Sequence, residues 1–271
     1  MNKKLILMDV DGTLISYSNV LPDSAVKAIH KAQKNGHLCF IVTGRSRAHI
    51  DKEILDIGLD GLIGGNGSYI EVEGQIIKNK TIAINDVKRI VDYLDAHHLE
   101  YFVEANDGLY GSHHFQTRAV STLQQYGIVN PIIKEVYPDM TFPESLYQEN
   151  VTKINFILES YQNYLDFKDA FPTFKVSTWG GKGEDALFGD CALRDIDKKE
   201  AIEQLAKYLK IEKEDIISFG DAEVDIPMFE ASGISVCMNN GRLAAKKVAT
   251  YVSDDVLNDG LFKSFEHFCL I

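Results

Sequence analysis

The stretch that most constrains this chain is "LILMDVDGTL" (5–14), an unbroken aliphatic run that ends in Asp9 and Asp11, with Gly12 and Thr13 just after. A run of strand length with no polar alternation suits a strand buried on both faces, as in a parallel sheet covered by helices on both sides. Two unpaired carboxylates cannot sit inside such a layer without a large desolvation cost. They belong at the strand's carboxyl end, where water, a metal or a chemical step uses them.

The rest of the first third keeps a strand–helix rhythm. Residues 22–35 place Ala25, Val26, Ile29 and Ala32 at helical spacing, with Pro22 near the start and Gly36 past the end. "HLCFIV" (37–42) predicts a second buried strand that stops at Thr43-Gly44-Arg45. A helix is expected over "AHIDKEILDI" (48–57), followed by the short run "GLIGGNG" (61–67). The last third repeats the pattern: helix "KKEAIEQLAKYL" (198–209), strand "DIISFGD" (215–221), short helix "DIPMFEAS", strand "ISVCM", helix "GRLAAKKVA" and strand "TYVSD". Alternation of this kind predicts an α/β fold, a doubly wound Rossmann-like parallel sheet whose ligands bind beyond the carboxyl ends of its strands.

The middle reads differently. It mixes helices with strands linked by turns such as Asn106-Asp107-Gly108, which predicts an inserted α+β module. The expected division is a core of residues 1–80 and 184–271, with a cap at 81–183. "WGGKGED" (179–185) lacks the spacing of a phosphate loop and is read as the hinge back to the core.

Composition bounds the function. The 271 residues suffice for a real hydrophobic core, and a net charge of −12 makes nucleic acid a poor partner. No apolar run reaches the roughly 20 residues of a membrane span. Asp9 and Asp11 interrupt the first apolar run too early for a signal peptide. Cys39, Cys191, Cys237 and Cys269 show no metal-like spacing, so the expected setting is the cytoplasm with reduced thiols. His97-His98 and His113-His114 read as solvated surface. Nothing in the sequence signals an oligomeric state.

Several polar residues fall where expected strands stop: Asp9 and Asp11, Thr43, and Asp221 with Asp225. Parallel strands share one carboxyl edge, so these groups can converge. Carboxylates suit a hard divalent cation such as Mg²⁺, which takes oxygen ligands. One carboxylate can attack phosphorus, and a second two residues on can carry the proton of the leaving group. A lysine, a threonine hydroxyl and backbone N–H groups freed by a turn at Gly12 would offset charge on the phosphoryl oxygens.

At these residues the chain resembles the haloacid dehalogenase-like hydrolases. Asp9-Val10-Asp11-Gly12-Thr13, Thr43-Gly44-Arg45, Lys198 and Gly220-Asp221 with Asp225 are similar to that family's motifs I to IV. "GGNGSYI" (64–70), "IPMFEASG" (226–233) and "MNNGRLAAKKVATYVSDD" (238–255) are similar to its Cof-type subfamily, whose large cap lies between motifs II and III. The resemblance implies Asp9 as nucleophile and Asp11 as general acid/base. It implies Mg²⁺ on the Asp9 side chain, the Asp11 carbonyl and Asp221, with Lys198 offsetting charge and Asp225 supporting Lys198. Gly12, Thr43 and Gly44 would bind the phosphoryl group. Arg45 meets either substrate or a surface acid, and Asn66 either substrate or only its own loop. Asp225 alone would also read as a helix N-cap. A cap would close over the site and shape specificity.

Two positions depart from the family pattern: Val224 stands where Asn is usual, and Lys199 where Gly is usual. The expected function is a Mg²⁺-dependent phosphatase of a small phosphorylated metabolite, with sugar phosphates the leading class. A sugar phosphomutase using the same site, and a phospho-ligand sensor without turnover, are the alternatives.

Overall fold

The structure is a computed structural model that describes residues 2–125, 131, 133–137, 139–181 and 183–271. The chain forms two compact units. One takes the chain up to Gly44, then Lys52–Lys78 and Asp197–Ile271; the other takes Arg45–Asp51 and Asn79–Ile196.

The first unit begins with β1 (Leu5–Met8), α1 (Asp23–Lys34), β2 (Leu38–Val42), α2 (Lys52–Leu55), β3 (Gly61–Gly64), β4 (Tyr69–Val72) and β5 (Gln75–Asn79). The second unit holds α3 (Ile84–Ala96), β6 (Tyr101–Ala105), β7 (Leu109–Gly111), α4 (Phe115–Gln125), α5 (Ile133–Val136) and β8 (Val151–Ile157). It continues through α6 (Tyr161–Ala170), β9 (Phe174–Trp179) and β10 (Phe188–Leu193). The chain then returns to the first unit for α7 (Lys198–Leu209), β11 (Ile216–Gly220), α8 (Ile226–Glu230), β12 (Ile234–Cys237), α9 (Leu243–Val248), β13 (Tyr251–Val252) and α10 (Gly260–His267).

In the first unit the strands order as β13-β12-β11-β1-β2-β3-β4-β5. From β13 to β3 the pairs are parallel, and β4 turns antiparallel to β3. β1 is central, with Leu5 level with both Ile216 and Leu38, and its four side chains are fully buried. Leu5 and Leu7 pack with Ala201, Ile202 and Leu205 of α7 and Met228 and Phe229 of α8. On the opposite face Cys39, level with Ile6, lies against α1, and Phe219, level with Met8, sets its ring 5.3 Å from Phe265 of α10. Helices therefore cover both faces, as the uninterrupted aliphatic run requires.

The second unit is an antiparallel sheet, β7-β6-β8-β10-β9, with α3, α4 and α6 packed on it. The chain is thus α/β, a doubly wound sheet carrying an inserted α+β unit.

Three expectations are corrected. Residues 184–196 belong to the second unit, not the core, because β10 pairs with both β8 and β9. The "WGGKGED" stretch consequently connects β9 to β10 and is not the hinge; Lys182 within it lies outside the described residues. The helix expected over 48–57 is broken: a single 3₁₀ turn at Arg47–His49 precedes α2, and Ile50 between them is extended. Its first residues fall in Arg45–Asp51, a segment that groups with the second unit. Beyond "GLIGGNG" the chain adds β4 and β5, joined by a tight turn with positive φ at Glu73 and Gly74.

Candidate active site

β1 and β11 run side by side in parallel, so their carboxyl ends emerge together, and Asp9 and Asp221 are the first residues beyond them. The Asp9 N–H still donates to the Phe219 carbonyl at 2.9 Å, which ties the acid to the sheet edge. Past it the chain folds into a tight turn: the N–H groups of Leu14 and Ile15 return to the Val10 carbonyl at 3.0 Å. Gly12 sits there at φ +87°, and a Cβ on it would lie 2.6 Å from Asp221 Oδ2, so only glycine fits. Asp11 is half-buried and bridges to Ile15 in the same turn.

Lys198 opens α7, whose start is capped by Asp197 accepting from the N–H groups of Lys199 and Glu200. Its Nζ donates to Asp9 Oδ1 at 3.1 Å and to Asp225 Oδ1 at 2.8 Å. All three side chains are buried. Lys199 points elsewhere, to Glu230 at 3.3 Å, so the lysine at the acids is Lys198. Asp225 accepts with its other oxygen from the N–H groups of Asp221 and Ala222, at 3.0 and 3.1 Å. It thus supports the lysine and the Asp221 backbone at once. Val224 beside it is 65% exposed and makes no polar contribution.

Asp9, Asp221 and Asp225 each place an oxygen within 4.8 Å of the others. Burial chiefly, and then the Asp225 charge, pushes the Asp9 carboxyl well above the usual carboxylate range, against the pull of Lys198. Burial pushes Asp221 up to about 6, opposed by the Tyr17 hydrogen bond. Burial works against a charged Lys198, yet Asp9 and Asp225 outweigh it and keep the ammonium protonated. Four acids stand against one buried lysine, an arrangement that a divalent cation would balance. Asp225 has both oxygens committed, whereas Asp221 Oδ1 is buried without a hydrogen-bond partner. An orphaned carboxylate oxygen beside a second acid fits a hard cation, with Asp9 and Asp221 as the side chains that could hold it.

Thr43 follows β2 and is buried; its N–H donates to the Ile63 carbonyl at 2.9 Å. Its carbonyl accepts from Asn66 at 3.0 Å, and the Asn66 side chain lies against Gly44. Asn66 itself adopts φ +57°, a left-handed conformation that asparagine tolerates. The Thr43-Gly44 and Asn66 turns thus brace each other at one sheet edge. Arg45 falls in the second unit, with Nη1 2.8 Å from Asp51 Oδ2.

Two neighbours of the acids escaped sequence reading. The Tyr17 hydroxyl donates to Asp221 Oδ2 at 2.6 Å, and the Asn240 amide donates to the Gly12 carbonyl at 2.7 Å. Asn240 lies within "MNNGR", one of the subfamily-like stretches, so its signal was present. Tyr17 belongs to no motif, and only the folded turn brings it here.

The profile of the haloacid dehalogenase-like hydrolases matches residues 6–265. The chain belongs to the haloacid dehalogenase-like hydrolase family. YkrA of Bacillus subtilis (strain 168) is 26% identical over 265 residues, covering 96% of each chain. A phosphoglycolate phosphatase of Methanobrevibacter smithii is 25% identical and is covered, like this chain, over its full length. A solved structure from Geobacillus kaustophilus HTA426 shares the fold over both whole chains, with a TM-score of 0.86 at 21% identity. As a member of this family the chain is an enzyme, a phosphatase. No helix among the described residues is long and apolar enough to cross a membrane.

Proposed function

We propose that this enzyme hydrolyses the phosphate monoester of a small metabolite in two steps through an aspartyl-phosphate on Asp9, with Mg²⁺ bound. The observation that carries the proposal is the Lys198 bridge between Asp9 and Asp225 beside Asp221, all buried at one sheet edge. Asp9 attacks phosphorus, forming an O–P bond as the ester O–P bond breaks, and Asp11 gives its proton to the departing alkoxide. Asp11 then takes a proton from water, whose oxygen attacks phosphorus and frees Asp9 and inorganic phosphate. Lys198 opposes the burial that disfavours the ionised form of Asp9, and Thr43 with the turn at Gly12 contacts the phosphoryl oxygens. Asp9, Asp221 and the Asp11 carbonyl would hold Mg²⁺, which would supply charge neutralisation at the phosphoryl group.

The names of relatives support a small phosphorylated substrate: phosphoglycolate in the Methanobrevibacter enzyme, pyridoxal phosphate in YbhA of Escherichia coli. Sugar phosphates are the class proposed for this chain. The proposed setting is the cytoplasm, in keeping with four free cysteines, three of them buried. A panel of phosphorylated metabolites assayed for phosphate release, with Mg²⁺ and with chelator, tests the reading. Release from sugar phosphates that stops with chelator is expected; release unaffected by chelator contradicts the metal role, and none from any sugar phosphate contradicts the substrate class.

A further inference from the structure

Tyr17 joins an exposed position to a buried partner. The residue is 63% exposed, yet its hydroxyl reaches 2.6 Å from Oδ2 of Asp221, which is itself buried. Its ring edge lies over Gly12, where a Cβ would stand 2.9 Å from Tyr17 Cε2 and 2.6 Å from Asp221 Oδ2. Glycine at position 12 is therefore what lets the ring and the carboxylate meet. A hydrogen bond from a hydroxyl to a carboxylate is among the stronger kinds, and it holds an exposed ring in one orientation.

The bond has a geometric consequence for the acid. A carboxylate turns about its Cβ–Cγ bond, so fixing Oδ2 also fixes Oδ1. In Asp221 that second oxygen is the buried atom with no partner. The backbone of Asp221 is held independently, by Asp225 at its N–H and by the Arg242 N–H donating to its carbonyl at 2.6 Å. Backbone and one side-chain oxygen are thus pinned, and only Oδ1 is left to meet a ligand.

We propose that Tyr17 is a positioning residue for the cation site: its hydroxyl holds Asp221 Oδ2 so that Oδ1 faces a divalent cation shared with Asp9. The inference rests on reading the acid cluster as a cation site. Partners of this kind fix ligand orientation before the ion arrives, and losing one typically costs 10- to 100-fold in affinity. Tyr17→Phe keeps the ring and removes only the donor.

Calorimetric titration of Mg²⁺ into the metal-free full chain, without substrate, separates the two readings. The wild type should bind one ion, Asp221→Asn none, and Tyr17→Phe one ion about tenfold more weakly. The metal-free melting temperature of Tyr17→Phe should stay near that of wild type, because the ring is exposed. In phosphate release the Mg²⁺ concentration for half-maximal rate should rise about tenfold in Tyr17→Phe, with kcat at saturating Mg²⁺ largely restored. Wild-type affinity in Tyr17→Phe, with Asp221→Asn unable to bind, overturns the role of Tyr17 and leaves the cation site standing. Wild-type affinity in Asp221→Asn, or no binding by the wild type, overturns both.

Discussion

At the scale of single residues, the site depends on a buried lysine shared by two acids. Lys198→Met leaves Asp9 and Asp225 buried without their cation, and breaking a buried pair in this way costs on the order of 3 kcal/mol. Chemical denaturation should show that loss, and phosphate release should fall below detection; a variant as stable as wild type would contradict the account of the bridge. Gly12→Ala tests the turn. The new methyl would meet Asp221 Oδ2 and the Tyr17 ring, at a φ that L-residues avoid, so stability should drop by about 1–3 kcal/mol with Mg²⁺ binding weakened. Unchanged Mg²⁺ affinity would show that the contact is irrelevant to the acids. Asp9 and Asp11 stand out in the sequence, because an aliphatic run that stops at acids has few physical explanations. Lys198 stands out only through family likeness, since a lysine in the first turn of a helix looks like solvated surface. Tyr17 gave no signal, because its meaning lies in a contact 204 positions along the chain.

At the scale of elements, Glu104 of β6 fastens Arg45–Asp51 to the second unit's sheet. Its carboxylate is fully buried and accepts from the Ser46 N–H at 2.7 Å and the Asn155 amide at 3.1 Å. Lys153 and His49 lie 3.1 and 3.2 Å away. Burial opposes its charge, but Lys153 and His49 prevail and hold the carboxyl well below the ordinary 4.5. Because the folded value is lowered, the unfolded chain binds more protons, and the stabilisation is complete above about 4.5 and lost as pH falls toward the lower folded value. The single tryptophan, Trp179, stacks on Phe188 within the same unit and reports its unfolding by fluorescence. Denaturant midpoints followed by that signal should fall in wild type as pH drops below 4.5, and less steeply in Glu104→Gln; equal slopes would rule out the clamp. This clamp is also why the helix expected over 48–57 breaks. Helical periodicity in "AHIDKEILDI" is real, but buried hydrogen bonds to Glu104 outweigh the propensity of one short segment. β10 was misassigned for a related reason: strand pairing to β8 and β9 is a long-range choice that local pattern does not record.

At the scale of the molecule, the parallel core was legible because buried strands and amphipathic helices alternate over most of its length. The limits of the inserted unit were not, because the chain passes between units at Gly44, Asp51, Lys78 and Ile196 without any change in composition. The acid cluster should couple the whole first unit to metal. Mg²⁺ at a hundred times its dissociation constant would stabilise the folded state by about 2.7 kcal/mol, so chelator should lower the melting temperature of the wild type and leave Asp221→Asn unmoved. An equal response in both proteins would place the ion elsewhere. The central claim is that Asp9 carries the phosphoryl group between its ester and water. The most direct measurement is steady-state hydrolysis of an aryl phosphate by wild type and Asp9→Asn, each saturated with Mg²⁺. The account predicts turnover in the wild type and a loss of at least about a thousandfold in the variant; undiminished turnover by Asp9→Asn would contradict it.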